Sequence, residues 1–110
     1  MTTINISRES ENNGTTPLHW AALRNRFGTV KFLIENGVNV SAAGPLNQQT
    51  IHVASQNREA TAILRVLLEN GADIEAKHGP NTPLLNAVFK GNFENAKFLL
   101  EKGKKALGRN

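Results

Sequence analysis

Residues 16–22 read Thr16-Pro17-Leu18-His19-Trp20-Ala21-Ala22. The pattern returns as Gln49-Thr50-Ile51-His52-Val53-Ala54-Ser55 and again as Thr82-Pro83-Leu84-Leu85-Asn86-Ala87-Val88. From Leu18 to Ile51 to Leu84 the step is 33 residues each time. A motif that recurs in phase at this step predicts stacked structural repeats, in which each unit buries its apolar face against its neighbours.

A second motif follows each copy of the first. It reads Phe32-Leu33-Ile34-Glu35-Asn36-Gly37, then Val66-Leu67-Leu68-Glu69-Asn70-Gly71, then Phe98-Leu99-Leu100-Glu101-Lys102-Gly103. The steps between these copies are 34 and 32 residues. We therefore expect one extra residue in the turn around 57–59 of the middle repeat, and one residue fewer in the loop before the third repeat.

Each repeat is predicted to begin with a short helix. Thr16 and Thr82 can cap this helix by accepting a backbone N–H, and a proline follows each of them at the first helical position, where no N–H is needed. Gln49 is a poorer cap, so Thr50 is the alternative cap of the middle repeat, one residue later. Small alanines at positions 21, 54 and 87 allow these helices to approach one another closely.

A second helix is predicted in each repeat from apolar residues at helical spacing, such as Phe27, Val30 and Leu33. Glycine is expected to end each of these helices, because the residue after a helix often takes a left-handed conformation. The glycines in question are Gly37, Gly71 and Gly103. Helices of roughly ten residues are unstable alone, so the pairs must stack. Phe32, Val66 and Phe98 are expected to fill the space between the layers.

The two motifs together resemble the ankyrin repeat, on Thr-Pro-Leu-His-x-Ala-Ala at residues 16–22 and Leu-Leu-Glu-Asn-Gly-Ala-Asp at residues 67–73. The resemblance covers residues 12–103 and implies an all-α solenoid of stacked helix-turn-helix units joined by β-hairpin-like loops, with a concave face. The three units would span about residues 12–44, 45–77 and 78–110. The resemblance also implies a function in binding other proteins rather than in catalysis.

The third repeat departs from the family at Leu85, where the family prefers histidine, and the first repeat has Asn25 at a turn position that is usually glycine. Asparagine tolerates the left-handed conformation, so the turn should still form. Neither departure is expected to disturb the fold.

The two ends of the chain raise a separate question. Residues 1–11 form a polar segment, and residues 104–110 are a basic tail or the start of a further repeat. Terminal repeats usually present polar outer faces, whereas the last repeat carries apolar residues typical of an internal unit. These residues are Phe93, Phe98, Leu99 and Leu100. Either the chain is a spacer or cap fragment of a longer array, or its end is covered by a partner or by a second copy, so self-association stays open.

Catalytic, metal and cofactor sites are not predicted. The chain has no cysteine, and it has neither a glycine-rich phosphate loop nor a calcium loop. Successive helix layers are about 10 Å apart, too far for His19 and His52 to share a zinc ion. The resemblance implies instead that these histidines bond neighbouring repeats together. We therefore expect no enzyme activity, no cofactor and no small-molecule substrate.

The composition suits a single soluble domain of 110 residues with a net charge of +4. No run approaches the ~18 apolar residues that a membrane span needs, so we expect no membrane insertion. The first twenty residues are polar, so we expect no secretory signal and an intracellular, cytoplasmic location. Nucleic-acid binding is disfavoured because aromatic residues make up only 5% of the chain and tyrosine is absent. The basic tail is interpreted as solvated in preference to a binding element.

Partner-binding residues are expected at the ends of the first helices, where the fold does not require apolar side chains and where members of the family commonly contact partners. Leu23, Gln56 and Phe89 share one phase of the repeat, and Arg24, Asn57 and Lys90 share the next. Trp20 is interpreted as packing between helices, with a half-exposed anchor for a partner as the alternative. The pattern favours a partner protein with an acidic, partly apolar patch.

The tips of the loops are the second place where partner contacts are expected, because loops can vary without harm to the helices. The candidates are Asn13, Leu46, Gln48, His78 and Asn81. For His78 a solvated loop residue is preferred to a partner contact.

Overall fold

The computed structural model describes the backbone of residues 16–106 and the side chains of residues 16–103, so the candidate Asn13 lies outside the described residues. Six α-helices form three pairs, as predicted. They are α1 (Pro17–Leu23), α2 (Phe27–Glu35), α3 (Thr50–Ser55), α4 (Thr61–Glu69), α5 (Pro83–Phe89) and α6 (Phe93–Ala106). The first helices α1, α3 and α5 contact one another in what we name the inner row, and α2, α4 and α6 form the outer row.

Capping explains where the inner helices begin. The hydroxyl of Thr16 accepts from the backbone N–H of His19, and that of Thr82 accepts from the N–H of Leu85, both at 3.3 Å. In the middle repeat the prediction of Thr50 as the cap is wrong. Gln49 holds the cap position and Thr50 is the first helical residue. The reason is that Nδ1 of His52 accepts from the Gln49 N–H at 3.0 Å, which closes this end of the helix without a hydroxyl.

The turn between the two helices of each repeat contains one residue in the left-handed conformation. The φ angles are 56° at Asn25, 50° at Glu59 and 71° at Gly91. Asn25 therefore adopts the conformation expected of it. Glu59 holds the equivalent position one residue late, which confirms the extra residue in the middle turn.

Replacing Glu59 by glycine should raise the free energy of unfolding by about 0.5–1 kcal/mol, because the strain of a left-handed side chain exceeds the entropy that glycine loses on folding. The matched control is Arg58→Gly, one residue earlier, where φ is not positive and glycine should destabilise. Urea unfolding of both variants checks the prediction. A lower midpoint for Glu59→Gly would contradict it.

Glycine ends the outer helices of the first two repeats, as predicted. Gly37 and Gly71 have φ angles of 89° and 96°. The asparagine before each glycine donates its side-chain amide to a carbonyl one turn back, from Asn36 to Phe32 and from Asn70 to Val66, both at 2.8 Å.

The prediction that Gly103 ends the third outer helix is wrong, because α6 continues to Ala106. Lys102 replaces the asparagine of the other two repeats. Lysine is a good helix former, whereas asparagine competes for backbone hydrogen bonds and favours helix ends. The helix therefore passes through the glycine.

The core lies in the middle repeat, where Ile51, Ile63, Leu64 and Leu67 are buried almost completely. Val66 and Phe98 are partly buried, and the guanidinium of Arg65 lies 5.0 Å from the centre of the Phe98 ring. Phe32 is exposed, so the prediction that it fills between the layers is wrong. The apolar side chains at positions 30 and 33 face the core instead.

The loops between repeats differ in form. The first contains a 3-10 turn at Pro45–Asn47, and the second is hairpin-like, with a β-bridge between His78 and Asn81. The two loops are bonded to each other: the amide of Asn47 donates to the Lys77 carbonyl at 2.9 Å, and the Gly79 N–H donates to the Leu46 carbonyl at 3.0 Å. These bonds fix the spacing of the loop tips.

Candidate protein-binding surface

A cavity of about 420 Å³ opens where the inner row meets the first loop. We name it the inner groove. It is lined by His19, Trp20, Leu23, Gln48, Val53, Gln56, Asn57 and Lys90. The structure thus brings together six of the residues that the repeat phase and the loops singled out, from all three repeats.

Trp20 forms one wall of the inner groove. Its side chain is 46% exposed, whereas Val53, at the equivalent position of the middle repeat, is 9% exposed because the first repeat covers it. The preferred interpretation of Trp20 as a packing residue is therefore wrong, and the half-exposed alternative describes it. The guanidinium of Arg24 lies 5.7 Å from the ring centre, a distance that favours a cation–π contact.

Leu23 and Phe89 are exposed, as their phase in the repeat predicts. Half of the Leu23 side chain and 71% of the Phe89 side chain are accessible to solvent. Leu23 lines the inner groove, and Phe89 immediately precedes Lys90, which also lines it. Because Lys90 and Arg24 are both exposed, positive charge accompanies these apolar groups.

The two polar candidates from the middle repeat have different surroundings. Gln56 is partly buried in the groove wall. Asn57 has a structural role: its amide donates to the carbonyls of Ala22 and Leu23, the second at 3.0 Å. Its carbonyl also accepts from the amide of Asn95 at 2.5 Å. The side chain that sequence phase offered as a contact thus joins the first two repeats.

The loop candidates do not all lie in the groove. Gln48 lines it, while Leu46 lies at the loop tip, 74% exposed with a φ angle of 56°. His78 is partly buried, and its Nδ1–H donates to the Leu46 carbonyl at 3.2 Å. Asn81 closes the bridge with His78. His78 is therefore a bonded loop residue rather than the solvated one expected.

The conserved spacing of two histidines reflects a structural task, as predicted. Nε2–H of His19 donates to the Gln48 carbonyl at 2.8 Å, and Nε2–H of His52 donates to the Ala76 carbonyl at 2.7 Å. Each bond ties an inner helix to the loop that leads into the next repeat. Among the described residues, no cluster of three potential ligands could hold a metal ion.

Burial lowers the pKa of His52 below its ordinary value of 6.5, because the charged imidazolium would lose its hydration. The carbonyl of Ala76 opposes this shift by accepting from Nε2–H, and the nearby ring of His78 reinforces it. His52 is therefore neutral in the folded protein at pH 7, with Nδ1 free of a proton to accept from Gln49.

The protein should lose stability as the pH falls below 6.5. In the unfolded chain His52 takes up a proton near 6.5, whereas in the folded chain it does so only at lower pH, so acid favours unfolding. The contribution is fully present above pH 6.5. An NMR titration of the imidazole carbon-bound protons checks this directly, and a His52 midpoint at or above 6.5 in the folded protein would contradict it.

Asn95 is a residue that the sequence analysis missed. It is fully buried at the register position of Ile63, and its amide donates to the carbonyls of Ser55 and Asn57 while its oxygen accepts from the Ala60 N–H. These bonds hold the enlarged turn of the middle repeat. The signal was a polar residue at a core register position one repeat after the insertion.

The part of the chain that the structure describes contains no helix long and apolar enough to cross a membrane. This agrees with the expectation from the sequence.

Comparison with known proteins gives matches over most of the chain. The family model "Ankyrin repeat" matches residues 13–45, and the model "Ankyrin repeats (3 copies)" matches residues 41–109. Similar proteins include "Palmitoyltransferase akr1" of Neurospora crassa, 35% identical over 76% of this chain, and "Transient receptor potential cation channel subfamily A member 1" of Homo sapiens, 31% identical over 93%. "Ankyrin repeat and SOCS box protein 11" of Danio rerio is 34% identical over 86%.

The chain covers only a minor part of these relatives, 12%, 9% and 32% of their respective lengths. What is similar in each is an ankyrin-repeat region, a kind of region that generally serves protein–protein interaction. The extent of the family match, the three helix pairs and the histidine bonds between repeats agree with one another. The chain belongs to the ankyrin repeat family.

Proposed function

We propose that this chain is a non-catalytic protein-interaction module, and that it binds a partner protein through the inner groove and the neighbouring loop tips. The observation that carries the proposal is the exposure of three large apolar side chains, Trp20, Leu23 and Phe89, on the inner row. Exposed aromatic and aliphatic groups clustered in a cavity are typical of sites that contribute most to protein binding.

The chemistry of the groove favours a particular kind of partner. Arg24 and Lys90 lie beside the apolar groups, so a partner surface with an apolar centre and acidic residues around it is complementary. Hydrogen bonds between repeats, such as those of His19 and Asn57, hold the groove walls before binding. Little ordering entropy is then lost when the partner binds.

Photo-crosslinking tests the proposal. A benzoylphenylalanine in place of Leu23 should crosslink a protein in extracts of the source cells. The matched control has the same group in place of Phe32, which is exposed on the outer row. A crosslinked protein obtained with the first variant and not with the second supports binding at the groove. Equal crosslinking by both variants, or none by either, would contradict it.

A second candidate function is that of a structural spacer or cap element within a larger ankyrin protein. The observation in its favour is the small share of each relative that this chain covers. Such an element would bind nothing at the inner groove. Absence of any specific crosslink from position 23 would therefore favour this candidate.

A further inference from the structure

The third repeat ends in a face whose chemistry differs from that of the other junctions. In the first two repeats the positions that face the following repeat are His19, Ala22 and Ile34, and His52, Ser55 and Leu68, all buried or partly buried. Their equivalents in the third repeat are Leu85, Val88 and Leu100, which are 40–49% exposed. With Phe93 and Lys97 on the same side of α6, we name these residues the terminal face.

The terminal face is not matched to an ankyrin loop. At the other junctions a histidine donates to a carbonyl of the following loop, but Leu85 has no donor to offer. Ala22 and Ser55 are fully buried in tight contacts, whereas Val88 is larger and branched. A flat apolar surface is therefore a better fit to this face than a loop carbonyl.

Lys97 also belongs to this face. Its equivalent in the middle repeat is Arg65, which reaches forward over the Phe98 ring of the third repeat at 5.0 Å. Thr61 and Arg65 share a cavity with Glu94 and Glu101 of the third repeat. Lys97 thus has the position from which a side chain contacts the next layer.

The charges on α6 are complementary to themselves. Lys97 and Glu101 are four residues apart, one helical turn. If two copies of α6 pack antiparallel about a twofold axis at the level of Leu99, position 97 of each copy lies opposite position 101 of the other. Glu94 then lies opposite position 104, which is a lysine. Leu100 is one residue from the axis in both copies, so the apolar groups also meet.

We infer that the terminal face is the interface of a homodimer, in which a second copy of this chain packs through the same face with the two α6 helices antiparallel. A twofold interface of this kind is closed and leaves both inner grooves accessible. The apolar residues supply the burial and the two Lys97–Glu101 pairs set the register. This inference concerns a different surface from the inner groove and does not depend on the proposed function.

Charge reversal tests the register. Sedimentation equilibrium of the full chain should show a monomer–dimer equilibrium, and Lys97→Glu or Glu101→Lys alone should raise the dimer Kd about tenfold or more, because like charges then meet twice. The double variant Lys97→Glu, Glu101→Lys should restore the wild-type Kd. Lys31→Glu, at the equivalent exposed position of the first repeat, is the matched control and should change nothing.

Circular dichroism of each variant verifies that the helices remain. A chain that stays monomeric up to millimolar concentration would overturn the inference. So would a double variant that associates as weakly as the single ones, or assemblies that grow beyond the dimer and ignore both reversals.

Discussion

The variant Asn95→Leu is expected to lose about 3 kcal/mol of the free energy of unfolding. Asn95 is fully buried and satisfies three backbone groups of the middle repeat. Leucine has a similar volume but cannot bond, so the Ala60 N–H and the Asn57 carbonyl would lose their partner. A buried polar group without a partner carries most of its desolvation cost into the folded state.

Asn36→Leu is the matched control for this variant. Asn36 is exposed, and its one side-chain bond is to its own helix, at Phe32. Its loss should cost less than about 1 kcal/mol. Urea unfolding followed by circular dichroism gives both values. Equal losses in the two variants would show that Asn95 does not hold the enlarged turn.

The variant His52→Ala should lose about 3 kcal/mol, because it opens a cavity and leaves two backbone groups without their partner. His52 is fully buried and bonds both the Gln49 N–H and the Ala76 carbonyl. The second bond spans 24 residues and joins the middle repeat to the loop that leads into the third. Its removal should loosen that junction.

Leu85→Ala makes the comparison at the equivalent position of the third repeat. Leu85 is 40% exposed, so truncation should cost less than about 1 kcal/mol in the monomer. Unfolding at a concentration low enough to keep the chain monomeric separates this value from any effect on association. A cost for Leu85→Ala as large as that for His52→Ala would contradict the account of the two junctions.

Much of the fold could be predicted because short-range rules determine it. The step of 33 residues located three helix pairs, threonine and proline marked where two inner helices begin, and glycine marked where two outer helices end. The errors occurred where a distant residue or a neighbouring substitution prevailed. His52 closed the helix assigned to a Thr50 cap, and Lys102 allowed α6 to continue through Gly103.

The candidate site was predictable only in part. Exposure of Leu23 and Phe89 followed from their phase, since that phase places them outside every helix contact. The roles of Asn57, His78 and Asn95 did not follow, because their bonds join residues 32–40 apart in sequence. Such bonds depend on the shape of an inserted turn and of two loops. Residue type and local spacing do not contain that information.

The account also explains why Trp20 was misjudged. The family position is covered by a preceding repeat at Val53 and Asn86, and both are buried. Trp20 belongs to the first repeat and remains half exposed in the described structure. The same residue type at the same phase therefore has a different environment according to its place in the stack.

The central claim is that the apolar side chains of the inner groove bind a protein partner. Affinity capture from extracts of the source cells, with residues 1–110 as bait, tests it most directly when three baits are compared: wild type, Leu23→Ser with Phe89→Ser, and Phe32→Ser as the exposed aromatic control on the outer row. All three should show the same helical circular dichroism. We expect wild type and Phe32→Ser to retain the same partner and the double variant to lose it. Equal recovery by all three baits would contradict the claim.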